Sequence, residues 1–398
     1  MQKVIIIGGG IGGLTLARAC LDVGIEVELY EKRSLTEMLS GSGGIFIQRN
    51  AMRVYQLLWD GKISDRFSQQ GGAILSGGFL SKSGEPLYIN SPAFIRSENL
   101  GTCLLRSELQ QILYEALPSG TVSTECAFES FEDSGDTVRV SFQDGSITTG
   151  TVLVGADGLY SPVRADLEHR DRLEPAIYSG TCCWRGYFEG SGVPLDARYS
   201  WGEFWGQSDR FGYFDVGGGR FSFYAFDNLP AGGNDEAEGG GLNALKSRFS
   251  DYASPVPEIL VALANQTIYR DDIFDREPLG HEWGKGRVTL IGDAAHPVQP
   301  SIGQGGCMAI EDAFELVKRL NGAMVEDSIP LLLRQFEASR SDRVTRVFTT
   351  SRQVGKLGQA EGKIACLLRN WIYKLTPTWL ADLQFKWLFD YVPNWDKT

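Results

Sequence analysis

Three glycines and one acidic residue near the start of the chain have the spacing of a dinucleotide-binding turn. Gly8, Gly10 and Gly13 follow the apolar run 4–7, and Glu31 comes 18 residues after Gly13. Glycine lets backbone approach a pyrophosphate closely, and the helix that begins there offers free N–H groups to its charge. A carboxylate at Glu31 can accept both hydroxyls of an adenosine ribose. The pattern predicts a nucleotide site but does not separate FAD from NAD.

A second glycine-rich segment opens a helix late in the chain. Its bare backbone N–H groups predict another place for negative charge. Asp293 ends an apolar strand and is suited to a ribityl or ribose hydroxyl. His296 precedes a proline in a tight loop, which favours a structural role over a catalytic one. The segment contains, in order, Gly292, Asp293, His296, Pro297, Pro300, Gly303, Gln304, Gly305 and Gly306.

Arg106 and Asp157 are single charged residues at positions that favour a ligand. Arg106 begins the amphipathic helix predicted within 104–117, where a cation opposes the helix dipole. We therefore expect an anion to hold it, with an ordinary surface arginine as the alternative. Asp157 follows an apolar strand, and open α/β sheets bind ligands at that edge. The alternative is that it caps the Asp-Gly turn.

A parallel sheet is needed to bring these residues together. The runs 4–7, 152–154 and 288–291 are apolar and short, as buried parallel strands are. Leu14, Ala17 and Leu21 repeat at helical spacing between the first strand and the next one. Residues 175–230 are rich in aromatic side chains at alternate positions, which predicts a mixed or antiparallel sheet.

Composition narrows the class of protein. The chain has 398 residues and a net charge of −12, which argues against nucleic acid as a partner. Seven scattered cysteines predict a reduced, cytoplasmic protein without a disulfide framework, and three histidines are too few for a histidine-rich metal site. We predict no bound metal. No apolar stretch has the length of a membrane span.

Three motifs together resemble the flavin-binding signatures of the single-component FAD-dependent monooxygenases. They are GGGIGG with Glu31, GADGLYSPVR, and GDAAHPVQPSIGQGG followed by AIEDA. That family includes aromatic hydroxylases, urate hydroxylases and zeaxanthin epoxidase. The resemblance implies an α/β fold, with a Rossmann-like FAD-binding domain of the para-hydroxybenzoate hydroxylase type, a mixed β-sheet substrate domain and C-terminal helices. The implied domains are FAD-binding, 1–73, 100–174 and 280–340; substrate, 74–99 and 175–279; and C-terminal helices, 341–398.

The same resemblance implies which residues bind FAD. One departure from the family pattern is Gln48-Arg49-Asn50, where many relatives carry Pro-Asn, so contacts to flavin or nicotinamide there stay open. The implied FAD-binding residues are Gly8, Gly10, Ile11, Gly12, Gly13, Glu31, Lys32, Gly44, Ile45, Arg106, Asp157, Gly292, Asp293, Pro300, Gly303, Gln304, Gly305 and Gly306.

The implied activity uses NADH or NADPH and O2 through a flavin C4a-hydroperoxide. It would hydroxylate or epoxidise an apolar aromatic or polyene small molecule. Pro297 and the aromatic sheet are suited to a dry pocket. Tyr213, Tyr224 and Arg185 are candidates for a base or donor near a substrate hydroxyl. The alternatives are an isoprenoid-type reductase, a flavin halogenase and a non-catalytic FAD-binding carrier. Halogenases of this fold need a WxWxIP pattern, and the segment WGEFWGQ (201–207) does not have it.

The tail at 361–395 carries two amphipathic helical patterns with several lysines. These helices could lie on a membrane surface and collect an apolar substrate. We favour the alternative that they pack on the FAD-binding domain, because most apolar stripes of this kind are core.

Overall fold

The computed structural model describes residues 2–41, 43–90, 100–169, 173, 175–196, 198–321 and 328–395. Its strands are β1 Lys3–Ile7, β2 Glu26–Tyr30, β3 Gly44–Gln48, β4 Gly72–Ala73, β5 Gly77–Ser81, β6 Pro86–Ile89, β7 Gly101–Leu105, β8 Val122–Ser123, β9 Phe128–Asp133, β10 Val138–Phe142, β11 Ile147–Gly150, β12 Val152–Gly155, β13 Ile177–Glu189, β14 Trp201–Trp205, β15 Asp209–Gly217, β16 Arg220–Asn228, β17 Tyr269–Asp275 and β18 Val288–Leu290. Its α-helices are α1 Ile11–Asp22, α2 Leu35–Leu39, α3 Arg49–Leu57, α4 Lys62–Gln70, α5 Arg106–Glu115, α6 Pro162–Leu167, α7 Gly241–Phe249, α8 Val256–Ala262, α9 Gly305–Asn321, α10 Ile329–Gly358, α11 Lys363–Leu375 and α12 Thr378–Phe389.

A parallel sheet brings the three sequence motifs to one edge. Its strand order is β18-β12-β1-β2-β8. Ile7 pairs with Tyr30 on one side and with Gly155 on the other, and Gly155 pairs with Leu290. The segments that follow these residues contain the glycine turn, Glu31, Asp157 and Asp293. Because parallel strands end at the same edge, all four segments meet there.

The aromatic segment forms a second, seven-stranded sheet in the order β17-β13-β16-β15-β14-β5-β6. Its pairings are antiparallel except that β14 and β5 run parallel, so the predicted mixed sheet is confirmed. Phe211 and Phe223 point to one face, where they pack with Phe249 of α7 and Ile259 of α8. We call the opposite side, which carries Phe214 and the alternate residues of neighbouring strands, the cleft face.

Strand β3 connects the two sheets. It pairs with β7, and its first residue, Gly44, donates its backbone N–H to Ser222 Oγ at 2.7 Å on the cleft face. A Cβ at Gly44 would lie 2.6 Å from the Phe214 ring. Glycine is therefore required here for close approach to the second sheet.

The long helix α10 passes through the predicted domain boundary between residues 340 and 341. The helix is continuous across this position, and the boundary stays a prediction. The other predicted boundaries stay predictions, and their parts within 91–99, 170–172, 322–327 and 396–398 lie outside the described residues.

The two C-terminal helices divide their contacts. Leu388 of α12 belongs to the core of the parallel-sheet layer, as predicted for the tail. Helix α11 instead packs on the second sheet, with the Tyr373 ring 4.9 Å from the Trp205 ring and 6.0 Å from that of Phe79. The expectation that both helices pack on the FAD-binding domain is therefore wrong for α11. Among the described helices, none has both the length and the hydropathy needed to cross a membrane.

Candidate active site

The glycines of the first turn have distinct steric roles. Gly8 has φ +110°, and a Cβ there would lie 2.4 Å from the Ala156 carbonyl oxygen. A Cβ at Gly13 would lie 2.0 Å from the carbonyl oxygen of Gly8. Gly10 differs, because no atom lies within 4 Å of its Cβ position. Gly8 and Gly13 thus close the turn, while Gly10 borders open space beside the first N–H groups of α1.

Glu31 is buried and already accepts several hydrogen bonds. Its Oε2 accepts from the backbone N–H of Gly9 at 2.8 Å, and Arg33 donates to both of its carboxylate oxygens. Burial acts to raise the pKa of Glu31, but the hydrogen bonds from Arg33 and Gly9 outweigh it and lower the pKa. The carboxylate is anionic, and sequence reasoning missed Arg33. The predicted contact residue Lys32 is exposed.

Asp157 has the capping role considered for it, and its role as a ligand contact stays a prediction. Its Oδ2 accepts from the backbone N–H of Val163 at 3.1 Å, next to the start of α6. Its Oδ1 is shielded from solvent and has no hydrogen-bond partner. Burial raises the pKa of Asp157 to about 6, against the opposing effects of Ser161, Val163 and Lys32. An unpaired buried oxygen at a sheet edge is typical of a ligand contact.

Arg106 and Asp293 lie close enough for the charge of each to act on the pKa of the other. Both side chains are exposed to solvent. Protein atoms nevertheless surround both charged groups closely enough to shift their pKa values. This shielding and the positive charge of Arg185 lower the pKa of Arg106. Shielding raises the pKa of Asp293, although His296 and Arg106 act in the opposite direction. Within the described residues, no hydrogen bond or ion pair engages the Arg106 guanidinium.

A buried carboxylate fixes the loop that carries Asp293. Asp312 Oδ2 accepts from the backbone N–H of Gly292 at 3.0 Å and lies 2.5 Å from His296 Nε2. Its Oδ1 accepts from Arg340 Nε at 2.7 Å. Burial raises the pKa of Asp312, but His296 and Arg340 bring it down to about 2. His296 is therefore held inside the protein, in agreement with the structural role favoured for it.

Gln304 uses its side chain within the protein. It is fully buried, accepts from Asn50 Nδ2 at 3.0 Å and donates to Gln48 Oε1 at 2.6 Å. Its side chain therefore holds β3 and α3. Only its backbone is left for the predicted FAD contact, and that contact stays a prediction.

The N-terminus of α9 meets β3 and the start of α1. A Cβ at Gly306 would lie 3.1 Å from Ile45 Cδ1 and 3.8 Å from Ile11 Cδ1. A Cβ at Gly12 would lie 3.1 Å from Ala309 Cβ. The first and third motifs are therefore in direct contact. The remaining predicted residues lie in the same loop, with Gly303 at φ +64°, Gly305 beside Val298, Pro297 buried and Pro300 exposed.

The three predicted catalytic side chains on the second sheet do not share a face. Arg185 and Tyr224 lie on the cleft face, where Arg185 Nη2 is 2.8 Å from Asp271 Oδ2. Tyr213 lies on the opposite face, in the core that α7 and α8 cover. Neighbouring residues of a strand point to opposite faces, so Tyr213 cannot join Phe214 in the cleft. The structure therefore separates Tyr213 from Arg185 and Tyr224, and its catalytic role stays a prediction.

Sequence reasoning missed a buried polar cluster on the cleft face, which we call the Glu203 cluster. Glu203 is 5% exposed, and its carboxylate accepts from Arg210 Nη1 at 3.0 Å, Trp205 Nε1 at 2.7 Å and Tyr224 Oη at 2.6 Å. Arg210 is 2% exposed and also donates to Ser301 Oγ at 3.2 Å, in the third motif. The sequence feature that could have indicated this cluster is the presence of two opposite charges, Glu203 and Arg210, within strands rich in aromatic residues.

Comparison with known proteins identifies the family. The model of the FAD binding domain family matches residues 1–181 and 271–351. The chain belongs to this family. It is 34% identical over 395 residues to the aurachin C monooxygenase/isomerase of Stigmatella aurantiaca, covering 98% of both chains.

Two further relatives extend the comparison. The chain is 37% identical over 358 residues to the chloroplastic zeaxanthin epoxidase of Nicotiana plumbaginifolia, covering 86% of this chain and 53% of the epoxidase. It thus spans about half the length of that relative. The crystal structure of Klebsiella pneumoniae HpxO complexed with FAD and uric acid superposes with a TM-score of 0.86 at 28% identity, covering 98% of this chain and 96% of HpxO. The chain is an FAD-dependent monooxygenase, which confirms the predicted fold class, cofactor and enzyme class.

The residues of this monooxygenase fit FAD. The open space at Gly10 beside the start of α1 admits a phosphate, and Arg106 offers an unengaged guanidinium. The orphaned Asp157 Oδ1 offers an acceptor. Arg33 competes with the cofactor, because it donates to the carboxylate of Glu31 that would accept ribose hydroxyls. The Arg33 side chain is 41% exposed, so it is free to turn outward.

Proposed function

We propose that this monooxygenase inserts one atom of O2 into an apolar ring or conjugated compound held against the cleft face. The observation that supports this most is the aromatic lining of that face beside the third motif. The ring of Phe46 lies 4.2 Å from that of Phe214, which lies 6.1 Å from Tyr224. An aromatic surface of this kind binds apolar rings and excludes water.

When bound, FAD supplies the passage of electrons from NADH or NADPH to O2 and the activation of oxygen. The chain's own groups bind and orient. Backbone N–H groups of the first turn and the Arg106 guanidinium would hold phosphates, and the start of α9 offers N–H groups to negative charge. Pro297 is buried in the loop between the strand end and α9 and helps to exclude water.

The Glu203 cluster is the proposed polar anchor for the substrate. Burial and the neighbouring Glu203 carboxylate raise the pKa of Tyr224 well above its usual value, so its hydroxyl keeps its proton. Arg210 Nε is buried without a hydrogen-bond acceptor. A substrate that carries one oxygen or nitrogen acceptor would satisfy this donor. We therefore infer a compound that is apolar apart from a single polar substituent.

Other parts of the proposal concern partners and location. The net charge of −12 supports a small molecule, with O2 and a nicotinamide nucleotide, rather than a nucleic acid. All seven cysteines are free, which supports a cytoplasmic location. The division into an FAD-binding and a substrate domain is kept as proposed, with the last boundary moved beyond the end of α10.

The test is turnover of FAD-loaded protein in oxygen-18 gas with a panel of ring and polyene compounds. We expect NADH or NADPH oxidation that one class of compound accelerates, and a product that gains one labelled oxygen. Turnover in the absence of oxygen would indicate a reductase, and halide-dependent product a halogenase. Bound flavin that neither nucleotide reduces would indicate a carrier. Any of these three results would overturn the proposal.

A further inference from the structure

The side of the second sheet that faces away from the cleft contains a small cavity, which we call the back cavity. Its volume is about 160 Å³. Gly78 of β5 and Gly202 of β14 line it side by side, and Leu80 and Phe204 follow them two residues further along the same strands. An apolar cavity of about 150 Å³ is large enough to bind benzene. The back cavity therefore has room for one ring compound.

Tyr213 brings a polar group without a partner into the back cavity. It pairs with Gly202, and its hydroxyl oxygen lies 3.3 Å from the position that a Cβ of Gly202 would take. The side chain is 4% exposed, and within the described residues no hydrogen bond engages its hydroxyl. Burial, together with Asp196 and Tyr199, raises the pKa of Tyr213 to about 12, so the hydroxyl keeps its proton. A buried tyrosine hydroxyl normally donates to a partner, and a ligand with an acceptor atom would supply one here.

The charges around the back cavity favour a neutral ligand. Pro194 and Ser254 are exposed and mark its opening. Among the described residues that line the cavity, Asp196 has the one charged side chain. Arg198 donates to Asp196 Oδ1 at 2.9 Å and to its Oδ2 at 2.5 Å, so this charge is already balanced. A charged ligand would therefore find no free opposite charge among these lining residues.

Strand β14 separates the back cavity from the Glu203 cluster. Neighbouring residues of a strand point to opposite faces of the sheet. Gly202 and Phe204 therefore face the back cavity, while Glu203 between them faces the cleft and accepts from Tyr224 Oη at 2.6 Å. A molecule in the back cavity would thus lie on the other side of the sheet from the residues proposed to hold the substrate.

We propose that the back cavity binds a neutral, benzene-sized ring compound that accepts one hydrogen bond from Tyr213. Leu80, Ile89 and Phe204 supply the apolar surface for the ring. One donor in an apolar site fixes the orientation of the ligand and selects compounds with an acceptor. This ligand is distinct from the substrate of the proposed function, and its binding does not depend on that function.

The test is binding of acetophenone, a neutral ring with one carbonyl acceptor, to full-length, FAD-loaded protein with labelled isoleucine and leucine methyl groups. Neither NADH nor NADPH is added, so no turnover occurs. We expect saturable shifts of the Leu80 and Ile89 methyl signals in NMR spectra, because both side chains line the back cavity. Leu105, which packs in one cluster with Phe214 and Tyr224, reports the cleft face separately. Isopropylbenzene, which has a similar shape but no acceptor, is the control ligand.

Two matched variants distinguish the two faces of the sheet. Tyr213→Phe removes a hydroxyl from the back cavity, and Tyr224→Phe removes one from the cleft face. We expect Tyr213→Phe to weaken acetophenone binding by about 3- to 10-fold, which corresponds to one neutral hydrogen bond, and to leave isopropylbenzene binding unchanged. Tyr224→Phe should shift the Leu80 and Ile89 signals at the same ligand concentrations as the unmodified protein. Bound flavin and circular dichroism show whether each variant is folded.

Three results would overturn the proposal. Absence of saturable shifts at Leu80 and Ile89 would show that the back cavity holds water only. Shifts confined to Leu105 would place the compound in the cleft. Equal acetophenone binding by Tyr213→Phe and the unmodified protein would show that the hydroxyl is not part of the site. Because the measurement requires no turnover, failure of the proposed oxygenation would leave this result intact.

Discussion

Breaking the Glu203–Arg210 pair from one side is expected to destabilise the protein more than removing both charges. Glu203 is 5% and Arg210 2% exposed, so neither charge is compensated by water. Arg210→Met leaves the carboxylate with Trp205 and Tyr224 as neutral donors, and Glu203→Gln leaves the guanidinium with Ser301. Removing one partner of a buried ion pair costs about 3–5 kcal/mol, whereas replacing both is often nearly neutral.

The coupling between the two charges can be measured in a double-mutant cycle. We expect each single variant to lose about 3 kcal/mol of unfolding free energy, which is about a hundredfold in the unfolding equilibrium. The double variant should lose less than the sum of the singles by about 2 kcal/mol or more. The assay is urea unfolding at one fixed FAD concentration, because bound cofactor shifts stability by mass action. Circular dichroism and flavin fluorescence must give coincident transitions.

A surface pair serves as the control for this cycle. Arg198 and Asp196 lie 2.5 Å apart, and the Arg198 side chain is 78% exposed. Asp196→Asn/Arg198→Met should leave the unfolding midpoint unchanged. If the losses in the Glu203–Arg210 cycle add to within about 0.5 kcal/mol, the two charges are not coupled and the reasoning is refuted.

Three further predictions concern the cofactor edge of the parallel sheet. Arg106→Met should weaken FAD binding by about 10- to 100-fold in a fluorescence titration, because a charge-assisted phosphate contact is lost. The control is Arg139→Met, which changes an arginine on the exposed surface and should bind FAD normally. Gly10→Ala should weaken FAD binding but leave the melting temperature of the cofactor-free protein unchanged. Gly8→Ala should lower that melting temperature, because its Cβ would lie 2.4 Å from a carbonyl oxygen. Equal melting temperatures of the two variants would contradict this prediction. Burial raises the folded-state pKa of Asp157 to about 6 from its ordinary value of 3.8, so the stability that Asp157 contributes to the cofactor-free protein should be lost as pH rises through this window. Melting curves of the unmodified protein and of Asp157→Asn should therefore diverge between these pH values, and identical pH profiles would contradict the assignment.

Local patterns were sufficient to predict the cofactor edge. Each motif follows an apolar strand directly, so Gly8, Asp157 and Asp293 are placed by the strand that precedes them. The rule that parallel strands end at one edge then brings the motifs together without knowledge of the connections. The mixed second sheet followed in the same way from alternating aromatic residues.

Local patterns could not predict which face of a sheet or helix a side chain points to, nor which residues distant in sequence are in contact. Tyr213 and Tyr224 both occupy aromatic strands, and only the pairing of Tyr213 with Phe223 shows that Tyr224 points to the other face. Arg210 meets Ser301, which is 91 residues away. The apolar stripe of α11 was visible as a period, but a period does not state whether the stripe faces core or solvent.

Contacts at the end of β3 and the start of α3 account for Gln48 and Asn50 within the departure from the family pattern at Gln48-Arg49-Asn50. Gln48 Nε2 donates to the Ile302 carbonyl oxygen at 2.9 Å, and Asn50 Nδ2 donates to Glu311 Oε1 at 2.6 Å. At its other end β3 is tied to Ser222 on the cleft face through Gly44. One short strand thus contacts both the third motif and the second sheet. The spacing between the cofactor loop and the cleft face is therefore set by protein contacts, and Gln48 and Asn50 need no contact with flavin or nicotinamide to explain them.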